Sequence, residues 1–550
     1  MRNYKHFSYR PTTMAPSGMV TSPHYLATQA GMNILQNGGN AIEAAIAAAA
    51  SISVVYPHMN GIGGDNFWLV YNAKKQELKG LNGSGRAGEL ATIDFYQKQK
   101  YETIPARGYL SANTVPGSVA GWDQAYQYSK SYLDGDIPWL ELLQPAISYA
   151  KNGFPVTPSQ AYWTKINAEK SDEFRNLQRF DEFQNIFLKE NGLLYQAGEL
   201  MMQHDLAVTL ETIANEGSRA FYQGSIGKQI VDDLRLNGGL LTEEDFRKHS
   251  SDWVEPISVN YRGYTAYNLP PNTQGLASLS ILNILNQFDL TCIEEGSPEY
   301  IHLIVEATKL AFCDRDQWLT DPDFSHIPVD ELISEKRGKQ LAAKINLAET
   351  LSMEKQLDPK GDTVWLGVVD QYGNAVSLIQ SIYHDFGSGI IPKGTGVLLQ
   401  NRGSFFSLNP NDINCLQPNK RTFHTLNPAM LFRGKSPYLV YGTMGGEGQP
   451  QTQAALVTRI IDYNYSIQAA IEAPRWLYGR TWGANSNRLK IESRISKEVR
   501  NELQKKGHSI EAVEEFTDIM GHAGVILIDD ENNVKYGGAD PRGDGIAIGH

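Results

Sequence analysis

The chain reads as a layered α/β protein, and three stretches carry that expectation. Val364, Leu366 and Val368 alternate with Trp365, Gly367 and Val369 before Asp370-Gln-Tyr-Gly-Asn374 turns the chain into Ala375 to Ile382, a period-two pattern around a turn that predicts a β-hairpin. Gly275 to Leu285 and Tyr300 to Phe312 carry apolar residues at helical spacing, with Ile304, Ala307 and Ala311 on one face. Strands at Tyr438 to Tyr441 and Gly524 to Ile528 interleave with helices at Pro450 to Tyr463 and Ile467 to Ile471, and such alternation builds layers. Strand order is not legible from pattern.

From the N-terminus, Ser22-Pro23 offers an N-cap and a proline at the first helical position, and Gly38-Gly39 stops the run through Leu26, Ala30 and Ile34. A second helix starts near Asn40. Its alanine-rich body, Ala41 to Val55, is interrupted by Glu43 and Ser51, which suits a tightly packed core helix rather than a membrane span. Pro57-His-Met-Asn-Gly-Ile-Gly-Gly-Asp65 is a glycine-dense turn ahead of a strand at Phe67 to Tyr71. Glu349 to Gly361, crowded with Glu, Lys, Asp and Pro, is the least structured stretch by composition and directly precedes the hairpin.

A length of 550 residues predicts two domains or one large layered domain, and 41% hydrophobic against 20% charged residues place the chain among globular proteins. The net charge of -12, with no Lys/Arg cluster to track a phosphate backbone, argues against a nucleic-acid partner. The three cysteines, Cys292, Cys313 and Cys415, lack CxxC or Cys/His spacing, so buried free thiols are expected and neither disulfides nor a metal site. The first residues lack the apolar run of a secretory signal, and no stretch of about 18 apolar residues exists to cross a bilayer, which reads as cytoplasmic with no membrane partner.

A threonine opening a strand after a polar loop is ordinarily structural, because Thr favours strands. Cleavage of the Asp362-Thr363 bond would change that. Thr363 would then carry a free α-amino group, whose reference pKa of about 7.7 to 8.0 lets it accept the hydroxyl proton, so one residue supplies nucleophile and base.

Over nearly its whole length the sequence resembles the γ-glutamyltranspeptidase family. The resemblance rests on Gly38-Gly-Asn-Ala-Ile-Glu-Ala-Ala45, Gly61-Ile-Gly-Gly-Asp65, Thr114-Val-Pro-Gly-Ser-Val-Ala-Gly-Trp122, Asp362-Thr363 through Asp370, Phe386-Gly-Ser-Gly389, Gly442-Thr-Met-Gly-Gly446 and Ala539-Asp-Pro-Arg-Gly-Asp-Gly545. It implies an α+β fold, a four-layer αββα sandwich of the N-terminal nucleophile hydrolase type. It also implies a precursor that cuts itself before Thr363 into a large segment, 1–362, and a small one, 363–550, which share one domain and use no cofactor. By family position the backbone N–H groups of Gly445 and Gly446 form the oxyanion hole, although a plain strand-to-helix turn would look the same. Ser381 falls where a hydroxyl orients the nucleophile. Arg86 matches the arginine that grips the substrate carboxylate, with a solvated surface arginine as the alternative, and Asn401 keeps its family identity, with a structural amide equally compatible.

Departures from the family bear on substrate. Val364 replaces a second threonine, and the polar residues that hold a glutamyl α-amino and α-carboxylate are replaced, in register, by Tyr383, Arg402 and Phe405. A serine pair reads His424-Thr425 here, where His424 suits a loop hydrogen bond better than a general base. The expected partner is therefore a small molecule with a carboxylate and no α-amino group, such as an oxamate-like or glutaryl amide. The family default remains a glutathione hydrolase or γ-glutamyltransferase. A reading of another class is an unprocessed, inactive binding protein, and an oligomer is compatible with all of these.

Overall fold

The computed structural model describes residues 8–170, 174–352, 362–479 and 488–550. Two seven-stranded sheets form its centre. One runs Ile546–Gly549, Met19–Ser22, Asp362–Val369, Ala375–Tyr383, Asp65–Asn72, Glu77–Gly83, Asp252–Val254; the other runs Thr13–Ala15, Val534–Ala539, Ala523–Asp529, Ser436–Thr443, Ala429–Arg433, Tyr264–Asn268, Ile257–Tyr261. All these neighbours pair antiparallel. Both sheets combine strands from before and after Thr363, with Met19–Ser22 lying between Ile546–Gly549 and Asp362–Val369, so the two segments share both sheets.

The strand alternation sets the layers. Trp365 and Val369 point between the sheets, where they meet Phe67, Ile379, Met430 and Ile526. Leu366 and Val368 point the other way, onto a helical layer that includes Ala41–Val55. Leu431, Leu439 and Leu527 on the outer face of the second sheet pack under Gly275–Leu285, Pro298–Trp318 and Gly448–Ile461. The result is helix, sheet, sheet, helix. Trp365 shows why glycines face it: a Cβ at Gly442 or Gly524 on the opposite sheet would enter its ring.

The hairpin, the two mid-chain helices and the alternating elements after residue 430 stand where the pattern put them. Asn40 caps the alanine-rich helix through a capping box with Glu43, and every residue of that helix is buried. The first helix differs from expectation. It spans Tyr25–Gln36 with His24 as N-cap, because Ser22 is the last residue of the strand Met19–Ser22 and sheet pairing claims it first. Cys292 and Cys313 are exposed, not buried as expected, while Cys415 is buried. Most of the polar stretch Glu349 to Gly361 lies outside the described residues. Among the described residues no helix is long and apolar enough to cross a membrane.

Candidate active site

Thr363 lies at the start of the strand Asp362–Val369, buried at 1% exposure. Asp362 pairs with Tyr383 and Val364 with Gln380, and the ladder shifts between them, so Thr363 occupies an irregular step across from Ser381 and Ile382. Ser381 Oγ accepts from the Tyr383 N–H at 2.8 Å. That bond helps hold Tyr383 at φ +83, a left-handed backbone that costs a bulky residue about 1 to 3 kcal/mol and recurs at functional sites. The Gly61–Asp65 turn lies so close that a Cβ at Gly64 would strike the Ser381 carbonyl.

Val364 packs against Met444, with Tyr56 and Met59, and so brings the Gly445-Gly446 turn to the beginning of the strand. Both glycines have positive φ, +112 and +53, just ahead of the helix Gly448–Ile461. Among the described residues neither N–H has a hydrogen-bond partner. Two unspent donors before a helix N-terminus form a ready anion or oxyanion cradle. Gln274 Nε2 donates to the Gly446 carbonyl at 2.8 Å and to the Thr425 carbonyl at 2.7 Å, tying the turn to the His424-Thr425 segment.

Beside the strand end is a buried polar cluster built around Arg402. Its guanidinium stacks 4.0 Å from the Tyr383 ring, is 1% exposed, and among the described residues has no hydrogen-bond partner on Nε, Nη1 or Nη2. Burial pulls it down to about 10, against the raising influence of Tyr383 and Asp65. Asp65 Oδ1 accepts from Gly85 N (3.0 Å), Gly117 N (3.1 Å) and Gln400 Nε2 (3.0 Å), and its Oδ2 lies 3.2 Å from His424 Nε2. Burial pushes the Asp65 carboxyl up to about 6, and those bonds together with Arg402 restrain the rise. Burial and then Arg402 hold His424 well below its ordinary range, so it is neutral, and among the described residues its Nδ1 has no hydrogen-bond partner. Thr425 Oγ1 is buried and likewise unpartnered among the described residues.

Asn401 is spent on structure: Nδ2 donates to the Ala106 carbonyl at 2.7 Å and meets His384 Nδ1 at 2.8 Å, while Oδ1 accepts from His384 N at 3.1 Å. Arg86 is occupied too. It reaches Asp321 at 3.1 Å, Asp323 at 2.7 Å and the Asn419 carbonyl at 3.1 Å, so a substrate carboxylate there would compete with two aspartates of the chain itself. Phe405 lines a cavity of about 440 Å³ together with Tyr383 and Phe423.

Sequence reasoning assigned no role to Asp65, Gln274 or the buried Arg315–Glu447 pair, at 2.7 Å, that braces the chain directly after Gly446. Asp65 closes a quoted glycine motif and Glu447 adjoins another, signals that could have found them; Gln274 has none. Away from this region, His302, Glu306 and His508 bring ligand atoms within 4.8 Å of one another, a geometry the sequence spacing did not reveal. Lys309 already pairs with Glu306 there at 2.8 Å, supplying the positive charge a metal would bring.

The sequence profile of the family described as Gamma-glutamyltranspeptidase matches residues 27–550. The chain belongs to that family. It is 47% identical over 532 residues, covering 96% of this chain and 98% of its relative, to the Glutathione hydrolase-like YwrD proenzyme of Bacillus subtilis. To the Oxamate amidohydrolase proenzyme of Klebsiella pneumoniae it is 42% identical over 539 residues, covering 98% and 99%. The solved structure of a cephalosporin acylase from Bacillus halodurans superposes with a TM-score of 0.88 at 36% identity, covering 100% of this chain and 99% of that one. The chain is accordingly an autoprocessed N-terminal nucleophile amidohydrolase with the α+β sandwich of that class, and the reading as an inactive binding protein falls away.

Proposed function

We propose that the chain is cut before Thr363 and then hydrolyses amides whose acyl half carries a carboxylate but no α-amino group. In processing, the Thr363 hydroxyl attacks the Asp362 carbonyl, the peptide nitrogen leaves as the Thr363 amine, and water hydrolyses the resulting ester. The segments 1–362 and 363–550 remain interleaved in the two sheets. In catalysis the Thr363 amine takes the hydroxyl proton, the alkoxide adds to the substrate carbonyl, and the N–H groups of Gly445 and Gly446 hold the oxyanion. Each such donor contributes about 2.7 to 4 kcal/mol to the transition state. The C–N bond breaks as the leaving nitrogen collects the proton, and water then releases the acid from the Thr363 ester. Ser381, bonded to the backbone beside the nucleophile, keeps the strand end in place.

The observation that supports the substrate class is the unpartnered guanidinium of Arg402. A buried guanidinium without hydrogen-bond partners is costly even with Asp65 offsetting part of its burial, and a planar fork awaiting two acceptors is matched by a carboxylate. Asp65, the acid of this cluster, has both oxygens engaged, which leaves an incoming α-ammonium without a free anionic partner. Tyr383 and Phe405 provide none. Oxamate, with its carboxylate next to the scissile carbonyl, and short diacid monoamides fit; the Thr425 hydroxyl, unpartnered among the described residues, can donate to a second substrate oxygen, while neutral His424, whose Nε2–H goes to Asp65, leaves Nδ1 as an acceptor for a substrate N–H. The test is kcat/KM for oxamate, a glutaryl amide, glutathione and a γ-glutamyl anilide. The amides without an α-amino group should lead, and a clear win for glutathione would overturn the specificity reading.

A further inference from the structure

We propose that the amine half of the substrate is bulky and aromatic or apolar, and that it occupies the cavity in front of Tyr383. The inference rests on the reading above, in which the acyl carboxylate goes to Arg402. Tyr383 connects the two places. It pairs with Asp362 beside the nucleophile, carries Arg402 against its ring, and lines the cavity.

Size, lining and charge point the same way. The cavity measures about 440 Å³, within the range that holds a drug-sized ligand and far beyond what ammonia requires. Tyr383 and Phe405 have ring centroids 5.5 Å apart, and Phe405 and Phe423 4.9 Å apart, forming a continuous aromatic wall joined by Ile104 and Leu319. The acids Glu102, Asp316 and Asp412 also line it. Arg315, the neighbouring cation, is already committed to Asp316 at 2.7 Å, Glu447 at 2.7 Å and Gln274 at 3.3 Å. An acyl carboxylate would be repelled by that set of charges, whereas an amine leaving as a cation would be favoured, so the cavity suits the leaving group and not the acyl group.

The experiment compares N-benzyloxamate with oxamate. The acyl group is identical, and benzylamine and ammonia are bases of closely similar strength, so leaving-group chemistry is matched and the ring is the variable. The N-benzyl amide should have a kcat/KM about 10- to 100-fold higher, the usual return for burying one aromatic group, and the ratio should collapse toward one in Phe405→Ala. Should that variant fail to fold, inhibition of the wild type by benzylamine but not by ammonium at equal concentration reads the same site. Equal or lower kcat/KM for the benzyl amide, or a preference that Phe405→Ala leaves intact, overturns the proposal. If neither oxamate is turned over while glutathione is, the carboxylate reading has failed instead, and γ-glutamylbenzylamide against glutamine then tests the cavity in the same way.

Discussion

Replacing Arg402 by methionine should make the protein more stable and much less active. The folded environment holds the guanidinium down from its ordinary range to about 10, and at about 1.4 kcal/mol per tenfold change in protonation equilibrium this corresponds to about 3 kcal/mol against the charged form. The sign follows from linkage. A base whose folded pKa is depressed destabilises the fold fully below the folded value, and the penalty fades as pH rises from about 10 toward the ordinary guanidinium range, so at neutral pH it is present in full. Methionine removes the charge, keeps most of the volume and can stay on the Tyr383 ring. Some of the gain is returned because Asp65 loses the cation that lowers its pKa. A net stabilisation of about 1 to 2 kcal/mol remains, in line with replacing buried charges by apolar side chains. The same change removes the charge-assisted bonds to the substrate carboxylate, and losing about 3 kcal/mol of transition-state binding lowers kcat/KM roughly a hundredfold. Scanning fluorimetry and oxamate kinetics on one preparation measure both. A variant with a lower Tm, or with unchanged kcat/KM, would refute the argument that Arg402 is stored strain awaiting an anion.

Thr363→Ala should remain a single chain while the wild type separates into 1–362 and 363–550, read by intact mass; cutting at that bond in the alanine variant would remove the mechanism. Arg86→Lys should cost less than tenfold in kcat/KM, because its fork already spans Asp321 and Asp323, whereas Arg402→Lys should cost about a hundredfold since an ammonium does not reproduce the bidentate geometry. The reverse ranking would return the substrate carboxylate to Arg86. Asp65 has a folded pKa raised to about 6 from 3.8, so its relative stabilisation is present below 3.8 and is lost as pH rises through about 6. The Tm of Asp65→Asn relative to wild type should therefore increase between pH 4 and pH 7, and a flat difference would contradict the assigned shift.

How much of this was legible beforehand depended on whether the information was local. The hairpin at Thr363 and the helices Gly275–Leu285 and Gly448–Ile461 announce themselves by periodicity, because each buries a face that its own residues define. The start of the first helix was misplaced because Ser22 is an equally good cap and strand residue, and only pairing with Ile546, over 500 positions away, decides between them. Buried thiols were expected for want of a motif, yet Cys313 sits on the outward face of the helix Pro298–Trp318, a matter of helix orientation that three cysteines in a sequence do not encode. Strand order was beyond reach for the same reason.

The site divides along a related line. The proposed reactive centre is specified by backbone: two glycines free to take positive φ, a strand start, and a glycine at 64 where any Cβ would meet the Ser381 carbonyl. Such requirements tolerate almost no substitution, and residue identity alone exposes them in one sequence. Substrate recognition is specified by side chains whose meaning lies in what surrounds them. Arg86 and Arg402 are both arginines at candidate positions, and nothing in the letters says that Asp321 and Asp323 satisfy one while the other lies buried with three nitrogens unpartnered among the described residues. The difference is made by folding Arg402 behind Tyr383, on a strand end whose φ of +83 is held by Ser381. On the proposed assignment, specificity hangs on the strand that pairs with the start of Asp362–Val369. A change at position 383 should move acyl preference and reaction rate together, whereas a change at Phe405, on the far side of the ring, should move the preference for the amine alone.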